Sequence, residues 1–315
     1  MRVFVAGATG AIGRHLVPLL VRGGHQVVGS TRNPHKQDAL ERAGAEAVVM
    51  DGLDRDAVVR AVTAAKPDVV VHELTALDGN TNDLKHMDRG FAVTNRLRTV
   101  GTDHLLAAAR EAGAGRVVVQ SFGGGWQNAR TGAGLATEEE PLDPHPAASA
   151  RETLAGIRYV DETVPAATGL DGLVLRYGYF YGPGTGLGEG GDLIAMVRRR
   201  RLPVVGGGAG VWSFVHTADA ASATAAALDR GVSGVYHVVD DDPAPVADWL
   251  PHLAAAVGAK PPRSLPSWLA RPVIGELGVR VMTEQRGSSN AKAKRALGWV
   301  PRYPSWREGF RTGLG

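Results

Sequence analysis

Gly7, Gly10 and Gly13 follow a short apolar run, Arg2–Ala6, and open a stretch in which Ile12, Leu16, Leu19 and Leu20 share one helical face. Between a strand and a helix, that spacing serves one purpose well. Gly7 makes the tight turn, Gly10 lets a pyrophosphate approach the backbone, and Gly13 lets the helix pack close to the strand. The N–H groups around Thr9, Ala11 and Ile12 then face the phosphates, favoured by the helix dipole. The end of the second strand selects the dinucleotide. It reads Ser30-Thr31-Arg32-Asn33, with no acid to hold the ribose hydroxyls of NAD. Arg32 offers a planar fork of donors to a 2′-phosphate, which favours NADP over NAD; a solvated loop arginine is the alternative. Asp51, followed by Gly52 at the end of the third strand, either accepts from the adenine amino group or caps the next helix.

Other chemistry-bearing residues are more scattered. Ser121 ends a β-branched run, and His72 sits in a strand beside the expected cofactor. Tyr177, Tyr179, Tyr181 and His216 fall in segments expected to line a cleft, although such tyrosines also serve as packing residues. The 10 histidines form no His-x-x-x-His or His-Glu-x-x-His cluster and there are 0 cysteines, so no metal site, disulfide or thiolate chemistry is expected. Lys+Arg 35 against Asp+Glu 32 leaves +3, a weak case for nucleic acid. No aromatic–basic interleaving, membrane-length apolar run or signal peptide is visible, so a cytoplasmic protein acting on a small molecule is the expectation.

The elements that must position these groups alternate. Strands are expected at Arg2–Ala6, Gln26–Thr31, Glu46–Met50, Asp68–His72, Arg116–Gln120 and Leu173–Arg176, with helices between, including Ile12–Val21, Asp54–Ala64 and Ala92–Ala112. Continuous apolar strands alternating with helices predict an α/β fold, a doubly wound parallel sheet covered on both faces. Beyond residue 180 the pattern loosens around Gly182-Pro183-Gly184 and Gly206-Gly207-Gly208. Short strands at Val211–Val215 and Val235–Val239 flank an alanine-rich helix near Asp219–Asp229. Residues 1–180, completed by segments near 211–240, read as the dinucleotide domain. Residues 181–315 read mainly as a smaller, interleaved substrate-binding lobe. The Gly-rich stretch 123–134, followed by Glu138-Glu139-Glu140, reads as a mobile loop or lid.

Taken together, these segments resemble the extended short-chain dehydrogenase/reductases, the NAD-dependent epimerase/dehydratase family. The resemblance rests on the glycine turn, Asp68-Val-Val-Val-His72, Thr94-Asn95 with Gly101-Thr102, and Arg176-Tyr177-Gly178 through Gly184. It extends to Phe214–Asp219 and to Leu297-Gly298-Trp299-Val300-Pro301. It implies a Rossmann domain with a C-terminal substrate lobe, a contact from Asn95, a homodimer through helices near 92–112 and 150–167, and a Tyr-x-x-x-Lys pair with a hydroxyl after strand five. The pair is missing. If Glu162 takes the family's glutamate position, Leu154 replaces Tyr and Arg158 replaces Lys. Leucine moves no proton; Arg158 can still hold the nicotinamide ribose. Ser121 is either the retained hydroxyl or a strand-end serine with Phe122 at the catalytic position. Trp212 stands where nucleotide-sugar members carry a diphosphate-binding Arg, which favours an apolar or aromatic substrate. Arg198–Arg201 read as a solvated helix end or as an anion site. The expectation is an NADP-dependent oxidoreductase for a small apolar or aromatic carbonyl or alcohol. Its acid would be displaced to Ser121, Tyr177, Tyr181 or His216, or its hydride transfer would need no enzyme tyrosine. A non-catalytic cofactor-binding regulator is the alternative.

Overall fold

The computed structural model describes residues 1–77 and 83–315. Seven strands form one parallel sheet: β1 (Arg2–Ala6), β2 (Gln26–Thr31), β3 (Glu46–Val49), β4 (Val69–His72), β5 (Arg116–Phe122), β6 (Asp171–Tyr177) and β7 (Gly234–Val238). Their order is β7-β6-β5-β4-β1-β2-β3. β1 therefore sits between β2 and β4, and the chain's winding reverses there. At that switch point the connections leave in opposite directions and open a crevice beyond the strands' carboxyl ends, where doubly wound sheets bind ligands.

The strands are apolar because both faces are covered. Val3, Val5, Val71, Leu173 and Leu175 pack beneath helix Gly13–Arg22 and helix Thr217–Ala226. Phe4, Val70, Val117, Val119 and Val174 pack against helices Arg55–Ala65, Thr102–Glu111 and Arg151–Thr163. The C-terminal residues build another cluster around Trp249, Trp306, Phe310, Phe214 and Tyr181. Short strand pairs lie in that region, including Tyr179–Tyr181 with Phe214–His216.

Most boundaries differ from expectation by a residue or two; the larger differences have physical causes. β5 runs on through Ser121 and Phe122 because both pair with β6, opposite Arg176 and Tyr177. The helix expected over 92–112 is interrupted by a wider π-helical turn at Leu97–Gly101. The 123–140 stretch is not a free lid. Arg286 donates to the carbonyls of Ala129, Thr131, Ala133 and Gly134 and pairs with Glu140, while Glu138 accepts from the His237 N–H on β7.

Candidate functional site

The glycine turn lies at the crevice. Gly7 has φ +90°, and a Cβ there would lie 2.8 Å from the carbonyl carbon and oxygen of Glu73. At Gly13 a Cβ would overlap the Ala8 carbonyl. The chain's packing on itself thus requires glycine at both positions. Gly10 differs: it is exposed, and a Cβ would have a single near neighbour, the Gly7 carbonyl oxygen at 3.2 Å. A side chain there would stand in the open space before helix Gly13–Arg22. Ile12 supplies no side-chain cap to that helix, as suits an end reserved for phosphate. Half-buried Thr9 and Ala11 and buried Ile12 complete the turn. Ser30 braces it through Gly7 N–H to Oγ at 3.3 Å, and Thr9 and Thr31 share a hydroxyl–hydroxyl contact of 3.2 Å. These residues fit a dinucleotide.

Arg32 is exposed just past β2. Asp51 is exposed too, and its carboxylate accepts from Leu53 N–H at 2.9 Å; Asp54, not Asp51, caps the following helix, accepting from Ala57 N–H at 3.0 Å. Gly52 is a packing glycine, since a Cβ would overlap the Leu74 side chain. His72 is buried with both ring nitrogens engaged: Nε2 meets the Leu97 carbonyl at 3.2 Å, and Nδ1 accepts from Leu74 N–H at 3.2 Å. Burial pushes its pKa down to about 4, so it is a neutral core histidine. Asn95 donates to Thr153 Oγ1 at 3.1 Å and accepts from Arg98 at 3.3 Å.

Helix Arg151–Thr163 offers a second register beside the expected one, in which Leu154 is buried too. Glu162 and Arg158 are exposed. The acid that faces the sheet is Asp161, 2.7 Å from Arg176 on β6, with side chains only 7% and 5% exposed. Counting back from Asp161 puts Ile157 and Thr153, one residue earlier than expected, where the proton-moving pair would stand. Ile157 is fully buried. The Thr153 hydroxyl is already committed, donating to Asp88 at 2.7 Å and accepting from Asn95. In either register the two positions counted back from the acid hold no free proton shuttle: Leu154 and Ile157 are apolar and buried, Arg158 is a guanidinium, and the Thr153 hydroxyl is engaged.

Ser121 is buried, its hydroxyl beside the Asp161 carboxyl. Phe122 packs into an aromatic array: its ring stacks on Trp126 at 5.7 Å and meets Tyr179 edge-on at 5.2 Å. A small cavity next to this array is lined by Trp126, Ala147, Leu277 and Val281, together with Arg130 and Gln285. The Tyr179 hydroxyl donates to Gln285 at 3.1 Å. Trp126 and Gln285 were not expected from sequence. An aromatic soon after β5 is the one local signal for Trp126; nothing local marks Gln285, brought in from far along the chain.

Four of the remaining expected residues, Trp212, Tyr181, His216 and Tyr177, are buried. Trp212 donates to the Val281 carbonyl and stacks on Tyr179 at 3.9 Å, as a buried wall behind the array. Tyr181 is fully buried among Phe214, His216 and Phe310. His216 caps helix Thr217–Ala226, accepting at Nδ1 from Ala218 N–H, and its Nε2 meets the Gly313 carbonyl at 2.9 Å; burial lowers its pKa. The Tyr177 hydroxyl is buried between Glu73 at 2.8 Å and Thr224 at 2.7 Å, and burial with the nearby Glu73 carboxyl pushes its pKa far up. Among the Arg198–Arg201 run, Arg200 donates to the Pro261 carbonyl.

A glycine cradle at the switch point of a seven-stranded parallel sheet defines a dinucleotide-binding α/β enzyme fold. The chain belongs to the NAD-dependent epimerase/dehydratase family, whose profile matches residues 3–239, and is an NAD(P)-binding oxidoreductase of that family. It is 46% identical to a 3-diazoavenalumate denitrifying reductase of a Streptomyces species, over 98% of this chain and 99% of the relative. It is 27% identical to a 4-hydroxy-2-methyl-3-oxo-4-farnesyl-3,4-dihydroquinoline-1-oxide ketoreductase of Stigmatella aurantiaca, over 82% and 74%. Among solved structures, the UDP-glucose 4-epimerase of Thermus thermophilus in complex with NAD superposes with a TM-score of 0.74 at 26% identity, covering 100% of this chain and 98% of that one. Among the described residues, no helix is long and apolar enough to cross a membrane.

Proposed function

We propose that the protein is an NADPH-dependent reductase that replaces the diazo group of a small aromatic compound with hydrogen. The observation that carries this reading is that the two helix positions facing the sheet hold no free proton shuttle: Ile157 is apolar and Thr153 is locked to Asp88 and Asn95. Reducing a carbonyl leaves an alkoxide that needs a proton. Reducing an arenediazonium needs none. Hydride bonds to the ring carbon, the carbon–nitrogen bond breaks with its electron pair leaving on nitrogen, and the products are a neutral arene and dinitrogen. The bound dinucleotide supplies that hydride.

This chain's residues provide the rest. The glycine turn and helix Gly13–Arg22 hold the pyrophosphate, and Arg32 takes the 2′-phosphate. The apolar array of Phe122, Trp126 and Tyr179 supports an aromatic ring and excludes water. The full-length relative named for denitrifying reduction of a diazo compound supports the same chemistry. The test is to incubate the purified protein with a phenolic arenediazonium salt and NADPH deuterated at C4. Dinitrogen release with deuterium on the arene carbon, above the rate without protein, is expected. Turnover of ketones or aldehydes with none of the diazonium salt would overturn the reading.

The protein is further expected to dimerise through helices near 92–112 and 150–167, where Val93 and Val100 are exposed. Gel filtration at micromolar concentration checks this, and a monomer would remove it.

A further inference from the structure

We infer that Glu73, the first residue after β4, is a neutral carboxylic acid that seals the floor of the cofactor crevice, and that the anionic dinucleotide binds only while it keeps its proton. The inference rests on the dinucleotide site proposed above.

The hydrogens around Glu73 can be counted. Glu73 is 7% exposed. One carboxyl oxygen lies 2.8 Å from the Tyr177 hydroxyl, which lies 2.7 Å from the Thr224 hydroxyl, which lies 2.8 Å from the Ala220 carbonyl. The chain ends at a carbonyl, which only accepts. Three close oxygen–oxygen contacts need three hydrogens, and Tyr177 and Thr224 own one each. Thr224 donates to Ala220, so Tyr177 donates to Thr224. The third hydrogen belongs to Glu73, which donates to Tyr177. An ionised Glu73 would leave one buried contact with two lone pairs facing each other, which is costly in a low-dielectric interior.

Position gives the proton its consequence. Glu73 N–H donates to the Ala6 carbonyl at 2.8 Å, and a Cβ on Gly7 would meet the Glu73 carbonyl, so the backbone of Glu73 stands at the switch point where a pyrophosphate docks, with its carboxyl one side chain away on the Tyr177 hydroxyl. Among the described residues, the titratable or charged groups on β4, β6, the first helix and helix Thr217–Ala226 are His72 on β4, Asp171, Arg176 and Tyr177 on β6, Arg14, His15 and Arg22 on the first helix, and Asp219 on helix Thr217–Ala226. Of these, Tyr177 is the group that bonds the carboxyl. Burial pushes the Glu73 pKa up to about 8. A pyrophosphate overhead raises it further, so binding above that pH takes up a proton and affinity falls as pH rises.

The experiment is calorimetric titration of NADH and NADPH at pH 7 and pH 9, in buffers of different ionisation enthalpy. For wild type, Kd should rise about tenfold over those two units, with proton uptake at pH 9. Glu73→Gln keeps a donor toward Tyr177 without a titrating group; its Kd should stay flat and its proton uptake vanish. Binding without pH dependence or proton uptake in wild type would overturn the inference, and needs no variant. A Glu73→Gln protein that keeps the pH dependence would overturn it equally. Failure to bind either nucleotide at pH 7 would remove the cofactor site itself, a distinguishable result. Stability gives a second readout without cofactor. The folded protein holds this proton while the unfolded chain has lost it between about pH 4.5 and 8. Wild-type stability should therefore decline across that window relative to Glu73→Gln.

Discussion

Arg32 and the two buried tyrosines carry different kinds of consequence. Arg32 is exposed past β2. Arg32→Ala should weaken NADPH binding roughly 10- to 100-fold, as expected for losing about 1.5–3 kcal/mol of charged hydrogen bonding, and leave NADH binding nearly unchanged. Competitive binding of the two nucleotides checks it; equal losses would make Arg32 a general phosphate contact. The tyrosines look alike in sequence and differ in environment. The Tyr177 hydroxyl bridges Glu73 and Thr224, whereas the Tyr181 hydroxyl is buried with no hydrogen-bond partner among the described residues. Tyr177→Phe should cost about 1–3 kcal/mol because it strands two buried polar groups, and Tyr181→Phe should be neutral or stabilising. Urea denaturation separates them. What sequence could show at this scale was the glycine turn, whose chemistry is local. It could not show that His72, His216 and Tyr177 spend their polar atoms inside the fold, because their partners Leu97, Gly313 and Glu73 meet them only through tertiary contact.

Helix Arg151–Thr163 shows what an element adds. Read along the sequence, Asp161 and Glu162 are adjacent acids and either could be the one facing the sheet. One residue is about 100° of helix rotation, enough to exchange a buried face for a solvated one. The sheet makes the choice: Arg176 on β6 points at Asp161 and brackets it with Nε at 3.0 Å and Nη2 at 2.7 Å. That register places Thr153 and Ile157 inward and leaves Arg158 outside. Breaking the buried pair through Asp161→Ala should cost about 3–5 kcal/mol, because it strands the Arg176 guanidinium. Glu162→Ala should stay within about 0.5 kcal/mol. Chemical denaturation of both variants decides the register; equal, small effects would return Glu162 to the inner face. The period of the helix was legible in the sequence. Its rotation was not, because the partner that sets it lies on another strand.

At the scale of the whole molecule, the chain crosses back between its two ends, and that crossing joins the sheet to the aromatic cluster. After helix Ala291–Leu297, Trp299 packs with Leu297 into the core under β6, its indole donating to Ser222 at 3.0 Å. A few residues later Trp306 and Phe310 are buried among Phe214, Tyr181 and Trp249. Two buried carboxylates hold the segment between them. Asp219 accepts from the N–H groups of Arg302 and Tyr303 at 2.8 and 2.9 Å, and Asp240 accepts from Trp306 N–H at 2.9 Å. The loosening of the pattern after residue 180 was readable in the sequence, but this clasp was not, since acids in helix and loop positions carry no mark of the backbone they hold. With the clasp in place the two hydrophobic clusters should unfold as one. Indole fluorescence, which reports chiefly the aromatic cluster, and far-UV circular dichroism, which reports the sheet and helices, should give coincident urea transitions in the wild type. Asp219→Ala removes two charge-assisted bonds and should cost about 3 kcal/mol. It should also pull the two transitions apart, with the aromatic cluster melting first as residues 302–310 come loose. Transitions already separate in wild type, or still coincident in a destabilised Asp219→Ala, would mean that the joint between the two clusters lies elsewhere.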